Sequence, residues 1–300
     1  MTFASFAAVS SGSRLHGTAA LVRRIAAALI LFAPIAACST LGSLNPFGPE
    51  KYETKILPNN PPETLYDQGL ARLRNRDGEG AAKKFSAIEK QFPSTDWSKK
   101  GLLMSTYANY MGGKYDDAIE SGKRYVSLYP ADSDAAYALY LVGMANYDQI
   151  PDVSRDQERT EKALEAFTDL VNKYPKSEYA DDAKFKIQVT RDQLAGKEMS
   201  IGRHYLARQN YVGAINRFRE VLAKYQNTRH TEEALERLTE AYMALGITNE
   251  AQTAAAILGH NFPDSQWYKD AYDLLKTGGL EPREDEGSWI SKAFKRIGLS

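Results

Sequence analysis

Ala163-Leu-Glu-Ala-Phe167-Thr-Asp-Leu170-Val-Asn-Lys-Tyr174-Pro175 carries the signature of a packed helix. Its apolar positions, Ala163, Phe167, Leu170 and Tyr174, fall on one face of a helix with 3.6 residues per turn. The proline behind the tyrosine then acts as a stop. A helix with one apolar face must bury it against something, so the stretch predicts one member of a packed set.

The same spacing returns along the chain. A small Ala is followed eleven positions later by an aromatic residue in Ala81 with Phe92-Pro93, Ala118 with Tyr129-Pro130, Ala214 with Tyr225, and Ala251 with Phe262-Pro263. Only Tyr225 lacks its proline, with Gln226 in that place. Four positions after each Ala stand Phe85, Gly122, Phe167, Phe218 and Ala255; seven after, Ile88, Tyr125, Leu170, Val221 and Leu258. Amphipathic segments precede each copy at 66–74, 98–111, 135–147, 200–208 and 231–245. The unit is therefore a helix pair, and successive units lie 37, 45, 51 and 37 residues apart. It resembles the tetratricopeptide repeat, nominally about 34 residues long. The expected fold is all-α, a superhelix of about five helix pairs over residues 63–276, because one pair cannot bury its apolar face alone. Extra residues at 148–160 and 186–200 predict longer loops or helices. Ser94, Ser133, Ser177 and Ser265 are the expected caps of the following helices.

Residues 1–37 contain no acid. Arg23 and Arg24 precede the apolar run Ile25–Ala33, and small residues Ala36 and Ala37 follow, as in a secretory signal. The run is too short to span a bilayer. Ile35-Ala36-Ala37-Cys38 resembles a bacterial lipobox, which implies that Cys38, the single cysteine, is acylated. Ser39 behind it favours the outer membrane by the usual sorting rule. Residues 38–62, with Pro46, Pro49, Pro58, Pro61 and Pro62, read as a tether. Residues 277–300 read as a linker and a short basic amphipathic tail. There Trp289, Ile290, Phe294 and Ile297 share a face flanked by Lys292, Lys295 and Arg296, a candidate contact for a membrane surface or a partner groove.

The composition, 43% hydrophobic and 25% charged, is that of a folded protein. Removing Arg14, Arg23 and Arg24 with the signal leaves 35 basic residues against 38 acids, so no basic field points to nucleic acid. His16, His204, His230 and His260 are scattered, and no pair has metal-ligand spacing. No nucleophile, phosphate-loop or dinucleotide motif occurs. The sequence therefore predicts no enzyme, no metal and no cofactor.

Three stretches narrow the reading, and the second and third lie outside the generic repeat pattern. They are Asn59-Asn-Pro-Pro-Glu-Thr-Leu-Tyr66, Asp152-Val-Ser-Arg155-Asp156-Gln157, and Leu194-Ala-Gly-Lys-Glu198-Met-Ser-Ile-Gly-Arg-His-Tyr205 running into Ala214-Ile-Asn216-Arg217. With the lipobox they resemble the BamD family, lipoproteins of the β-barrel assembly machinery in Gram-negative outer membranes. The resemblance covers about residues 35–275 and departs at Gln157, often Pro, and Lys197, often Tyr. It implies a non-catalytic scaffold on the periplasmic face. Such a scaffold docks on the POTRA domains of BamA, joins other lipoproteins of the machinery, and receives unfolded β-barrel precursors. Arg217, beside Asn216, matches a family arginine that pairs with an acid of the last POTRA domain. First helices of the amino-terminal repeats offer Tyr66, Tyr107, Tyr110, Tyr137 and Tyr140 to substrate, since Tyr couples contact area with a hydroxyl. Two rival readings remain. One is another periplasmic tetratricopeptide lipoprotein, such as a pilotin or a Tol-Pal-associated factor. The other is a peptidoglycan-active enzyme, which would need a catalytic domain that the chain has no room for.

Overall fold

The structure, a computed structural model, describes residues 60–295. The signal segment, Cys38 and most of the tether lie outside the described residues, as do Arg296 and Ile297. Twelve helices and no strand occur among the described residues. Five antiparallel pairs come first: α1 (Pro62–Arg74) with α2 (Gly78–Gln91), α3 (Asp96–Met111) with α4 (Tyr115–Leu128), and α5 (Ala135–Tyr147) with α6 (Glu158–Lys173). Then follow α7 (Ala180–Ala207) with α8 (Tyr211–Lys224), and α9 (Thr231–Ala244) with α10 (Thr248–Asn261). A closing helix α11 (Gln266–Thr277) and a short tail helix α12 (Trp289–Lys295) complete the order. From α1 to α11 each helix packs on its neighbours in sequence, α12 packs on α10 and α8 instead, and the first helices α1, α3, α5 also touch one another along one side. This is the tetratricopeptide superhelix, with second helices α2, α4, α6, α8 and α10 on the other side.

All five repeats of the sequence pattern are second helices. Each ends at its aromatic residue: Phe92, Tyr129, Tyr174, Tyr225 and Phe262 are the C-caps, with φ between −136° and −128°. Tyr225 adopts this conformation with Gln226 behind it. The stop therefore does not require the proline, which only reinforces it.

The caps differ from expectation at three of four serines. Ser265 does cap α11, accepting from Trp267 N–H at 3.2 Å. Ser94 instead takes a left-handed conformation (φ 61°), and Thr95 caps α3, accepting from Ser98 N–H at 3.1 Å. Ser133 and Ser177 precede Asp134 and Tyr179, which begin α5 and α7 without any side-chain cap bond. A 3₁₀-like turn closed by backbone bonds, such as Ala135 N–H to Asp132 O, supplies the entry there.

The first segment of the fourth unit is not the short helix expected over 200–208. It is the end of α7, a single helix of 28 residues. No proline interrupts 180–207, so the inserted residues extend the helix instead of looping out. The other insertion becomes a loop, residues 148–157, fastened to the long helix. Gln193 donates to Pro151 O at 2.9 Å and Lys197 to Ser154 O at 3.0 Å.

The core is the repeat pattern in space. Phe85, Phe167 and Phe218, all at the same register, are fully buried. Each ring lies on a glycine of the first helix of its pair, Gly69, Gly143 or Gly202, where a Cβ would collide with it. The second repeat reverses the exchange, with Gly122 set against Val142 and Thr106.

Candidate functional site

Two surfaces collect the residues singled out by sequence. The first is the side lined by the first helices of repeats one to three. Tyr107 on α3 lies 6.4 Å from Tyr137 on α5, measured between ring centroids. Tyr137 and Tyr140 lie 5.2 and 5.1 Å from Tyr179 at the start of α7. These four rings form one continuous aromatic run across three repeats. Burial pushes the Tyr137 hydroxyl up to about 12, so it is a neutral donor at any physiological pH.

Tyr110 and Tyr140 belong to the same side, but their hydroxyls are already engaged. Tyr110 donates to Asp148 at 2.7 Å, and Tyr140 donates to Asp182 at 2.7 Å. In both, the tyrosine of one first helix grips an acid of the next repeat, Asp148 at the C-cap of α5 and Asp182 in the first turn of α7. Desolvation, then the carboxylate, raises both hydroxyls well above their ordinary range. Tyr66 is apart from the run. It is half-buried between Phe85 and Trp97, at 5.4 and 5.6 Å, and serves mainly as packing between repeats one and two.

The structure adds Tyr179, Asp148, Asp182 and Trp97 to this side. Sequence reasoning missed Tyr179 because it sits in the inter-repeat connection, where the helical period gives no register. Asp148 and Asp182 were hidden among many acids of solvated helix faces.

The second surface is at the junction of α7 and α8. Arg217, on α8, donates through Nη1 to Glu198 Oε2 of α7 at 3.1 Å, and both side chains remain partly exposed. Around them lies an open polar cleft of about 480 Å³ walled by Tyr205, Asn210, Asn216 and Glu220. Asn216 is exposed on its rim. Glu220 is turned along its own helix to Lys224 at 2.7 Å. The family stretch 194–217 thus converges in space: α7 supplies Glu198 and Tyr205, and α8 supplies the arginine. The stretch 152–157 packs farther up the same long helix.

Among the described residues no cluster of His, Cys, Asp and Glu could hold a metal ion. No described helix is long and apolar enough to cross a membrane.

The fold and its two surfaces define a helical-repeat binding protein of the tetratricopeptide class. Residues 58–258 match the family model YfiO, described as outer membrane lipoprotein. The chain is 44% identical over 256 residues to the outer membrane protein assembly factor BamD of Caulobacter vibrioides, spanning 85% of this chain and 81% of that protein. It is 42% identical to the BamD of Rickettsia prowazekii over 72% of this chain and 86% of the relative. A BamD of Neisseria meningitidis serogroup A is 30% identical over 84% of this chain and 96% of its own length. The chain belongs to the BamD family of outer membrane protein assembly factors.

Proposed function

We propose that this chain is a non-catalytic lipoprotein scaffold of the β-barrel assembly machinery, held at the periplasmic face of the outer membrane by acylated Cys38. The observation that carries the reading is family membership across the whole superhelix, with relatives named as assembly factors that match over most of their own length. The machinery acts on chains whose strands alternate apolar and polar residues. The aromatic run Tyr107–Tyr137–Tyr179–Tyr140 suits such a segment, because flat half-exposed rings give area at low conformational cost. The hydroxyls held by Asp148 and Asp182 keep that surface stiff before any ligand arrives.

Partner docking belongs to the other end. Arg217 and Asn216 face an open polar cleft, and a guanidinium grips a carboxylate with two parallel hydrogen bonds. The acid of a POTRA domain of BamA is the proposed counterpart, with other lipoproteins of the machinery as neighbours. Glu198 holds Arg217 until then and keeps its side chain aimed into the cleft.

Co-purification from detergent-solubilised envelopes, read by mass spectrometry, tests the assignment. Recovery of BamA and its lipoproteins with the chain is the expected result. Recovery of pilus or Tol-Pal components without BamA overturns it. Photocrosslinkers at Tyr107 and Tyr137 test the substrate surface. They should capture carboxy-terminal barrel peptides, and capture confined to repeats four and five overturns that part.

A further inference from the structure

On the side opposite the tyrosines, neighbouring second helices leave a groove floored by the first helix between them. In repeats four and five this groove is filled by the chain itself. Residues 281–295 leave α11, run along α10 and end as α12 between α8 and α10. Gln252 donates to Glu281 O at 2.7 Å, and Thr253 Oγ1 accepts from Asp285 N–H at 3.1 Å. Ser288 donates to Glu250 at 2.7 Å, and the Trp289 indole donates to the Tyr242 hydroxyl at 3.1 Å. Arg219 lies 4.6 Å over the Trp289 ring, and Gln226 donates to Ala293 O at 3.3 Å. Ile290 and Phe294 are fully buried in the cluster that holds Leu235 and Leu238. This groove is a built receptor for a short amphipathic helix.

The equivalent groove between α4 and α6 is open, a cleft of about 440 Å³ over α5. Its residues stand at the positions that grip the tail, counted from the anchor alanines Ala118 and Ala163 against Ala214 and Ala251. Lys123 stands for Arg219, Lys162 for Glu250 and Glu165 for Thr253. The floor is apolar in the same places, Leu139 and Val142 for Leu235 and Leu238. The groove between α2 and α4 has the same outline but not the same floor. Ser105 stands there where Val142 does, beside Ser86 and Ser121, so the floor offers hydroxyls where an aromatic face needs apolar contact.

We infer that the groove between α4 and α6 docks a short amphipathic helix of another protein, carrying an aromatic residue near its start and an acidic residue just before it. The aromatic would lie under Lys123, as Trp289 lies under Arg219. The acid would take the place of Ser288 and meet, instead of Glu250, Lys162, which in the free chain pairs along its own helix with Glu158 at 2.6 Å. The chain's own tail is the wrong occupant. It offers a serine at the acidic place and carries Lys292, Lys295 and Arg296.

The probe is a fluorescein-labelled peptide of the tail sequence from residue 285 to 298, with Ser288→Asp and with Lys292, Lys295 and Arg296 changed to Glu. It should bind the full chain saturably, and the unaltered tail peptide should bind more weakly. The double variant Lys123→Glu/Lys162→Glu, both sites exposed, should bind the acidic peptide at least about tenfold more weakly, as reversal of two rim charges implies. A photocrosslinker at Ser127, on the wall of this groove, should capture the peptide in the unmutated chain. One at the equivalent Ala223 should not. No saturable binding, binding indifferent to the reversal in a folded variant, or capture only at Ala223 each overturns the inference. The last outcome means that the peptide has displaced the tail.

Discussion

At the scale of single residues, two charged groups carry testable chemistry, the half-exposed Arg217 and the buried Glu236. Arg217→Glu breaks a half-exposed ion pair with Glu198 and sets two carboxylates together. Pairs of that kind contribute at most about 1 kcal/mol to folding. Loss of one member of a desolvated interfacial pair costs about 2–5 kcal/mol of binding. The variant should keep its helical circular dichroism and lose its pull-down of BamA, and a charge swap on the POTRA side should restore the pull-down. Retained BamA binding by the folded variant removes the arginine from the interface.

Glu236 on α9 is 6% exposed, lies 3.3 Å from Arg237 Nε, and its buried Oε2 makes no hydrogen bond. Arg237 is shared with Glu233 and Glu240. Burial outweighs it and pushes the Glu236 carboxyl up to about 7. A carboxyl raised on folding stabilises the fold below its unfolded value and loses that contribution as pH rises through about 7. Glu236→Gln should therefore match the parent below pH 4.5 and be the more stable of the two above pH 7, by on the order of 2 kcal/mol. Parallel urea titrations at pH 4 and pH 8 decide this. A variant less stable than the parent at pH 8 would show that the charged form is favoured in place.

At the scale of elements, α12 raises a different question, whether the tail is part of the cooperative fold or a ligand that happens to be attached. Only a short extended strap, 281–288, joins it to the body. If it docks as a separate unit, breaking its anchor cannot cost more than its docking. Phe294→Ala would ordinarily cost about 3–5 kcal/mol in a closed core. Here it should cost the same as truncation after Leu280, because the mutated helix simply leaves. Thermal melts of both variants, with hydrogen exchange in α10, measure this. A point variant much less stable than the truncation would place α12 inside the cooperative core.

The elements also divide what the sequence could and could not reveal. The buried face and the C-terminal ends of the second helices were legible, because Ala, Phe and Leu at fixed intervals leave a helix only one face to bury. Helix α7 was not. Its middle carries fewer apolar residues at the repeat spacing, and the 148–157 loop that Gln193 and Lys197 hold lies some 42 positions back in sequence. Of the candidate site, the tyrosines could be placed on first helices by register. Which hydroxyls were already engaged depended on acids one repeat away, Asp148 and Asp182, and no local pattern carries that information. The apolar face of 289–294 was plain in sequence. Its partner was not, because Tyr242 and Arg219 lie 47 and 70 positions back.

For the whole molecule, the remaining question is what keeps it at a membrane. Were residues 1–37 removed, as the proposed anchor requires, the chain would carry 35 basic residues against 38 acids, and its attraction to anionic lipid would be weak. No described helix can cross a bilayer. Two attachments are proposed, the acyl chains on Cys38 and the partner contact at Arg217. Each CH₂ of an acyl chain contributes about 0.8 kcal/mol on burial, and more than one chain makes the anchoring stable. Cys38→Ala alone should abolish acyl labelling yet leave part of the protein in the membrane fraction, retained through BamA. Arg217→Glu alone should leave the protein in the membrane fraction, labelled, without BamA. Only the double variant should appear wholly in the soluble periplasmic fraction or as uncleaved precursor. Fractionation of the three variants with labelled palmitate separates the attachments. Acyl labelling that survives Cys38→Ala overturns the anchor assignment, and a double variant that still sediments with the outer membrane reveals a third attachment.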